Sequence, residues 1–237
     1  MLLTRRELLA EFLGTALLVV AVVGSGIAAA RLSRGDLGLE LFENAAATAA
    51  ALVAIILALG PVSGAHLNPV ITGIERALGG ITTRVAAGYW AAQVAGGVVG
   101  AIVANLMFSL RAVEWSRHVR TGSGLWLAEA VATFGLVLVV FGLARSGRSA
   151  MAPVAVGAYI GGGYFFTAST SFANPAVTIA RMFSNTFAGI APGSVPAFLG
   201  FQVLGGAVAV AALRILYPAA GAAAAEVVVP HPTEEAA

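Results

Sequence analysis

Gly64-Ala65-His66-Leu67-Asn68-Pro69-Val70-Ile71-Thr72 and Ser171-Phe172-Ala173-Asn174-Pro175-Ala176-Val177-Thr178 are two versions of one phrase. Each sets an Asn-Pro pair among small apolar neighbours, in a chain that otherwise reads as membrane spans. Asparagine is a good helix cap, and proline suits the first helical turn because its missing N–H has no partner there. Asn68 and Asn174 therefore predict the starts of two short helices. Non-helical backbone at bilayer depth is tolerated only where protein shields it or where it lines a watery cavity. Two copies, one per half, predict a pore built by a doubled architecture.

The composition bears this out. Of 237 residues, 59% are hydrophobic and 10% charged, with mean hydropathy +0.92, far from a soluble globular balance. A sequence pI near 9.5 does not point to nucleic acid, because the thirteen basic residues are arginines scattered at the ends of apolar runs. Cysteine is absent, which removes disulfides and thiolate chemistry, and no His/Asp/Glu cluster has metal-ligand spacing. Neither a metal nor a cofactor is expected. Nothing resembles a nucleophile–base pair, a P-loop or a dinucleotide fingerprint, so an enzyme is not expected either.

A span needs about 20 apolar residues. Six stretches qualify: Leu8–Ala30, Leu41–Leu59, Val85–Met107, Leu125–Ala144, Met151–Ala168 and Val195–Leu216. Arg5 and Arg6 imitate the start of a signal peptide, but the apolar run from Phe12 to Ala30 is long enough for a retained first helix. Arg111–Gly124 reads as an extramembrane loop. Gly60–Arg84 and Ser169–Gly193 are too apolar for ordinary loops and too short for full spans, and two re-entrant half-helices fit them. Glu11 in the first span is echoed by Glu129 in the fourth, and Gln93-Val94-Ala95-Gly96-Gly97 by Gln202-Val203-Leu204-Gly205-Gly206. The offsets between matching residues run from 106 to 118. This is one three-span unit written twice, at about residues 7–107 and 125–217, and an odd number of spans makes the second copy insert upside down. The Ala-rich tail, 218–237, reads as disordered. Seven arginines on one side against six on the other leave the orientation open.

Inverted, the two half-helices meet N-terminus to N-terminus. Their positive dipole ends and two carboxamides then converge near the midplane, a site that holds a water or hydroxyl oxygen and repels cations. Glu11 and Glu129 admit two readings. A carboxylate within a span suggests a proton relay by default, whereas one per half beside one loop each fits acceptance of hydrogen bonds from loop amides. The symmetric placement favours the second, with Gln93 and Gln202 bracing in the same way. Arg181 and Glu75, each seven residues after an Asn, either snorkel to headgroups or charge the pore mouths. Gly96, Gly97 and Gly100, and Gly157 with Gly161, read as close helix crossings.

The chain resembles the major intrinsic protein family, the aquaporins and aquaglyceroporins, over about residues 7–217. The matching residues are Glu11-Phe12-Leu13-Gly14-Thr15, Ser63-Gly64-Ala65-His66-Leu67-Asn68-Pro69, Gln93 and Asn174-Pro175-Ala176. The resemblance implies an all-α membrane protein of six tilted helices plus two re-entrant half-helices in an inverted repeat, assembled as a homotetramer with one pore per subunit. It implies passive flow of water and small neutral solutes, with the pore centre at Asn68, Pro69, Val70, Asn174, Pro175 and Ala176. It also implies a multi-pass protein of the plasma (inner) membrane with cytoplasmic termini. His66 resembles the family's pore-lining histidine, the alternative being a packing role.

The first box departs mildly from Asn-Pro-Ala, with Val70 in the third place. The second departs more, since Val177 stands where relatives carry the filter arginine. By the same correspondence the other filter positions fall on Thr48 and Ser171, with Gly162 or Tyr164 on the fifth span. Such a filter is wide and uncharged, which favours solutes larger than water: glycerol-like polyols and arsenite-type hydroxides. The Val-Thr-Ile-Ala-Arg continuation is similar to that of channels associated with arsenic resistance. The alternatives are a water-selective channel, a closed or adhesive member of the fold and, from another class, an ion-coupled secondary transporter. Few intramembrane carboxylates are present to bind a coupling ion.

Overall fold

The computed structural model describes residues 4–218, so most of the 218–237 tail lies outside the described residues. Eight α-helices follow one another: α1 (Arg5–Leu32), α2 (Leu37–Ser63), α3 (Pro69–Leu78), α4 (Thr83–Met107), α5 (Ser123–Arg145), α6 (Ala152–Phe166), α7 (Pro175–Ala180) and α8 (Val195–Leu216). Five helices, α1, α2, α4, α5 and α8 with its preceding turn, are long and apolar enough to cross a membrane. The protein is all-α and multi-spanning.

Polar caps lengthen the first two helices beyond their apolar runs. Thr4 and Glu7 form a reciprocal capping box, and the Asp36 side chain accepts from Leu39 N–H. Gly64 ends α2 and Gly79 ends α3, both in the left-handed conformation. α6 has 15 residues against the 18 expected for Met151–Ala168, because Thr167 turns extended and its hydroxyl bonds back to Gly163 O at 2.6 Å. α3 has ten residues and α7 six, the latter tightening into a 3₁₀ turn at Arg181–Phe183.

α1 packs chiefly on α4 and α2, and α5 on α8, while α2 packs on α6. Glycine permits the closest of these crossings. A Cβ on Gly96 or Gly100 would collide with Phe12 O or Ala16 O of α1, and one on Gly205 with Ala130 O of α5. The α2–α6 crossing works likewise, since a Cβ on Gly157 would sit 2.8 Å from Ala49 O. Without water to strengthen side-chain association in lipid, such backbone approaches supply the packing. Large apolar side chains, among them Leu9, Leu13, Leu17, Leu57 and Val208, point outward, as a lipid-facing surface requires. The Arg111–Gly124 region forms a non-helical segment over residues 108–122. It is strapped to the chain after α7 by Ser116 N–H to Met182 O (2.8 Å) and Ala191 N–H to His118 O (2.7 Å).

Candidate functional site

Two non-helical segments carry the chain into α3 and α7, and both hold residues in the left-handed region: Ala65 and Leu67 in the first, Thr170, Ser171 and Ala173 in the second. Each such residue costs about 1–3 kcal/mol. What holds them is a buried carboxylate apiece. Glu11 accepts from His66 N–H and the Ser63 hydroxyl at one oxygen (2.9 and 2.7 Å). At the other it accepts from Leu67 N–H and Gln93 Nε2 (2.8 and 2.7 Å). Glu129 accepts from Phe172 N–H and Ala173 N–H (both 3.0 Å) and from Gln202 Nε2 (2.6 Å).

The segments end at their asparagines. Asn68 Oδ1 accepts from Val70 N–H, and Asn174 Oδ1 from Ala176 and Val177 N–H, so each side chain caps its own helix. Each amide nitrogen then reaches across to the other half. Asn68 Nδ2 donates to Ala173 O and Asn174 Nδ2 to Leu67 O, both at 2.7 Å. One hydrogen of each carboxamide is thereby used, and the second remains on a nitrogen that borders a cavity. Both asparagines line this cavity.

Its walls are read off the helices at every fourth residue: Leu18 and Val22 on α1, Thr48, Leu52 and Ile56 on α2, Leu136 and Val140 on α5, Val156, Ile160 and Tyr164 on α6. The cavity is therefore mainly apolar, with polar groups concentrated in the two segments. Thr48, Tyr164, Ser171 and Val177 are all lining residues, the Thr48 hydroxyl lying 3.1 Å from the Tyr164 hydroxyl. Gly162 is not among the lining residues. It is exposed, half a turn round α6 from Tyr164, because residues two apart face opposite ways on a helix. Pro69, Val70 and Pro175 also leave the cavity. They line a separate apolar recess with Trp90, Val203 and Val210, while Ala176 is fully buried in packing. Proline at the first helical turn places its ring away from the capping side chain that precedes it.

The two charges part company. Arg181 does not snorkel: it is 2% exposed and lines the cavity. Its Nε donates to Ala188 O, and its guanidinium lies over the Phe172 ring, 3.4 Å from the centroid. Val177 does stand directly after Asn-Pro-Ala, yet the cavity it lines is not uncharged, because a cation enters one turn later. Arg120 approaches the same ring, 5.1 Å from its centroid, held by bonds to Gly189 O and Phe187 O. Burial pulls the Arg120 guanidinium below its ordinary value, and burial together with Arg120 lowers the neighbouring His118. Glu75 is likewise buried but does not line the cavity. It sits behind His66, with 2.9 Å between the carboxylate and Nε2. His66 itself is a lining residue.

Phe172, Arg120 and the apolar stripe are the elements that sequence reasoning missed. The stride of four was present on α2, α5 and α6, but every apolar helix offers several such strides. Arg120 carried no signal at all.

Residues 2–171 match the family described as major intrinsic protein. Over 218 residues, 92% of each chain, the sequence is 50% identical to the aquaglyceroporin AqpS of Rhizobium meliloti (strain 1021). It is 35% identical over 184 residues, 72% of each chain, to the probable aquaporin TIP1-1 of Oryza sativa subsp. japonica. The fold matches the X-ray structure of the aquaglyceroporin from Plasmodium falciparum with a TM-score of 0.68. That match covers 90% of this chain and 97% of the other, at 22% identity.

Proposed function

The chain belongs to the major intrinsic protein family, and from that premise we propose that it passes glycerol-like polyols, arsenite-type trihydroxy metalloids and water across the membrane through the cavity between its halves. It is a passive channel, not an enzyme. What supports the solute reading is that Val177 lines the cavity together with Asn68 and Asn174, whose amide nitrogens each donate to the opposite segment. A side chain of that size leaves room where a guanidinium would close the passage.

In this reading α6 is the fifth of six spans, α3 and α7 are re-entrant half-helices, and the two halves are inverted repeats. Asn68 and Asn174 offer their free N–H groups to a passing hydroxyl, and the positive ends of α3 and α7 turn cations back. Thr48, Ser171, Val177 and Tyr164 form the outer filter, with Arg181 at its edge. His66 lines the inner end. Glu11, Glu129, Gln93 and Gln202 brace the loops. The subunits form a homotetramer in the plasma (inner) membrane with cytoplasmic termini, by analogy with the family.

A narrower, water-selective pore is the second reading, and Arg181 among the lining residues is the observation in its favour. Light scattering of proteoliposomes under glycerol, urea and water gradients separates the two, with arsenite uptake in parallel. Flux of glycerol and arsenite well above empty vesicles, unaffected by ionophores, supports the wide pore. Water flux alone supports the narrow one. Ionophore-sensitive accumulation would instead indicate an ion-coupled transporter.

A further inference from the structure

We propose that Glu75 is a positioning residue for His66, locking the ring so that both nitrogens are engaged within the protein and a passing solute meets only carbon. The proposal deepens the channel reading and rests on it. A carboxylate buried in a membrane helix is expensive and calls for a partner. Glu75 lies on α3, seven residues after Asn68, 4% exposed, and its Oε2 stands 2.9 Å from His66 Nε2.

Gln93 Nε2 carries two hydrogens and faces two acceptors, Glu11 Oε2 at 2.7 Å and Thr72 Oγ1 at 2.9 Å. Thr72 Oγ1 accepts from Gln93 and lies 3.0 Å from His66 Nδ1, and in the proposal it gives its own hydrogen to that nitrogen. With Nδ1 accepting, the ring hydrogen resides on Nε2, facing Glu75. The tautomer is set by the bond made on the other nitrogen. Tyr89 closes the ring edge-to-face at 5.2 Å and is itself tied to Ser63 O.

The second half supplies the contrast. Gln202 Nε2 donates to Glu129 and to Thr178 Oγ1 in the same way, but the Thr178 hydroxyl turns its hydrogen to Asn174 O (2.8 Å). Its counterpart of His66 is Phe172, which offers no nitrogen. The cavity thus presents an aromatic ring without free hydrogen-bonding atoms in both equivalent places. One is a hydrocarbon by nature, the other an imidazole occupied on both sides. A freed Nε2 would hold a hydroxyl-bearing solute as it passes and slow it relative to water.

The test uses the full chain in liposomes, labelled with ¹⁵N-histidine. The expected wild-type spectrum shows one ring with a protonated Nε2 and an unprotonated Nδ1, absent in His66→Phe. Glu75→Leu should shift that pair toward a mixture of tautomers and reduce the glycerol-to-water flux ratio about fivefold. Glu75→Gln, whose amide oxygen still accepts from Nε2, should recover most of the loss. Glu75→Leu combined with His66→Phe should remove the effect of Glu75→Leu. A wild-type ring protonated on Nδ1 overturns the proposal, as does an unchanged ratio in reconstituted Glu75→Leu, or a double variant as slow as the single one. Should Glu75→Leu not fold, the wild-type spectrum and the Glu75→Gln flux still decide. Wild-type vesicles that pass neither solute would defeat the channel reading while leaving the tautomer measurable.

Discussion

The two Asn-Pro helices share a scaffold and differ in charge. Each begins at a capping asparagine, follows a strained segment held by a buried glutamate, and is flanked by a glutamine that bonds both that glutamate and a threonine. Seven residues after each asparagine a charged side chain reaches the ring two residues before it. In the first half that is Glu75 to His66, and in the second Arg181 to Phe172. Backbone symmetry is therefore compatible with opposite electrostatics at the two ends. An acid pairs with a basic ring, and a guanidinium stacks on a hydrocarbon one. In the proposed channel, what the halves have in common builds the passage, and what they do not share gives it two different ends.

The comparison is easiest to break at the glutamates. Glu11→Ala strands four donors and Glu129→Ala three. At about 1–3 kcal/mol per buried unpaired group, both should lose most of their monodisperse yield, Glu11→Ala more severely. Yield and thermal unfolding in detergent check this. Full yield with altered proton leak would make either carboxylate a relay instead.

Val177→Arg comes next. Glycerol flux should fall by about tenfold or more, which corresponds to ~1.4 kcal/mol or more of added barrier, with water largely spared. Equal glycerol rates in variant and wild type would remove the open filter from the account. Arg181→Leu sharpens the same end. Taking the cation from the cavity should raise glycerol flux by about fivefold in the same vesicles. No change would assign Arg181 to packing alone. The smallest effect belongs to Phe172→Leu. Loss of a cation–π contact worth about 1 kcal/mol should lower the melting temperature by ~2–4 °C without changing yield.

The repeat was legible because it is written in residue types with narrow physical uses. Asn-Pro marks a capped helix start, and Glu and Gln inside apolar helices are rare enough to pair by offset. Gly96, Gly100 and Gly157 were legible for a similar reason, since glycine in a membrane helix marks a close crossing. The apolar walls were not, because Leu52 or Ile160 looks like any other span residue until the neighbouring helices fix which face turns inward. The same ambiguity separated Tyr164 from Gly162, two residues apart on one helix. For Arg181 the sequence left two readings open, the headgroups and the pore mouth. Spacing put it one turn beyond Val177, toward the headgroups, but α7 tightens there into a 3₁₀ turn, and Ala188 O and Phe172 draw the side chain back into the cavity. Glu75 was misplaced because its partner, His66, lies earlier in the chain, on the far side of a helix start.

The reciprocal amide ties have a consequence for biosynthesis. Leu67 O and the Asn68 amide find their partners only in Ala173 and Asn174, which follow by more than a hundred residues. At ribosomal rates of about 5–20 residues per second, the nascent first half waits several seconds with these groups unmet. During that delay the first segment stands without the two bonds that join it to the second.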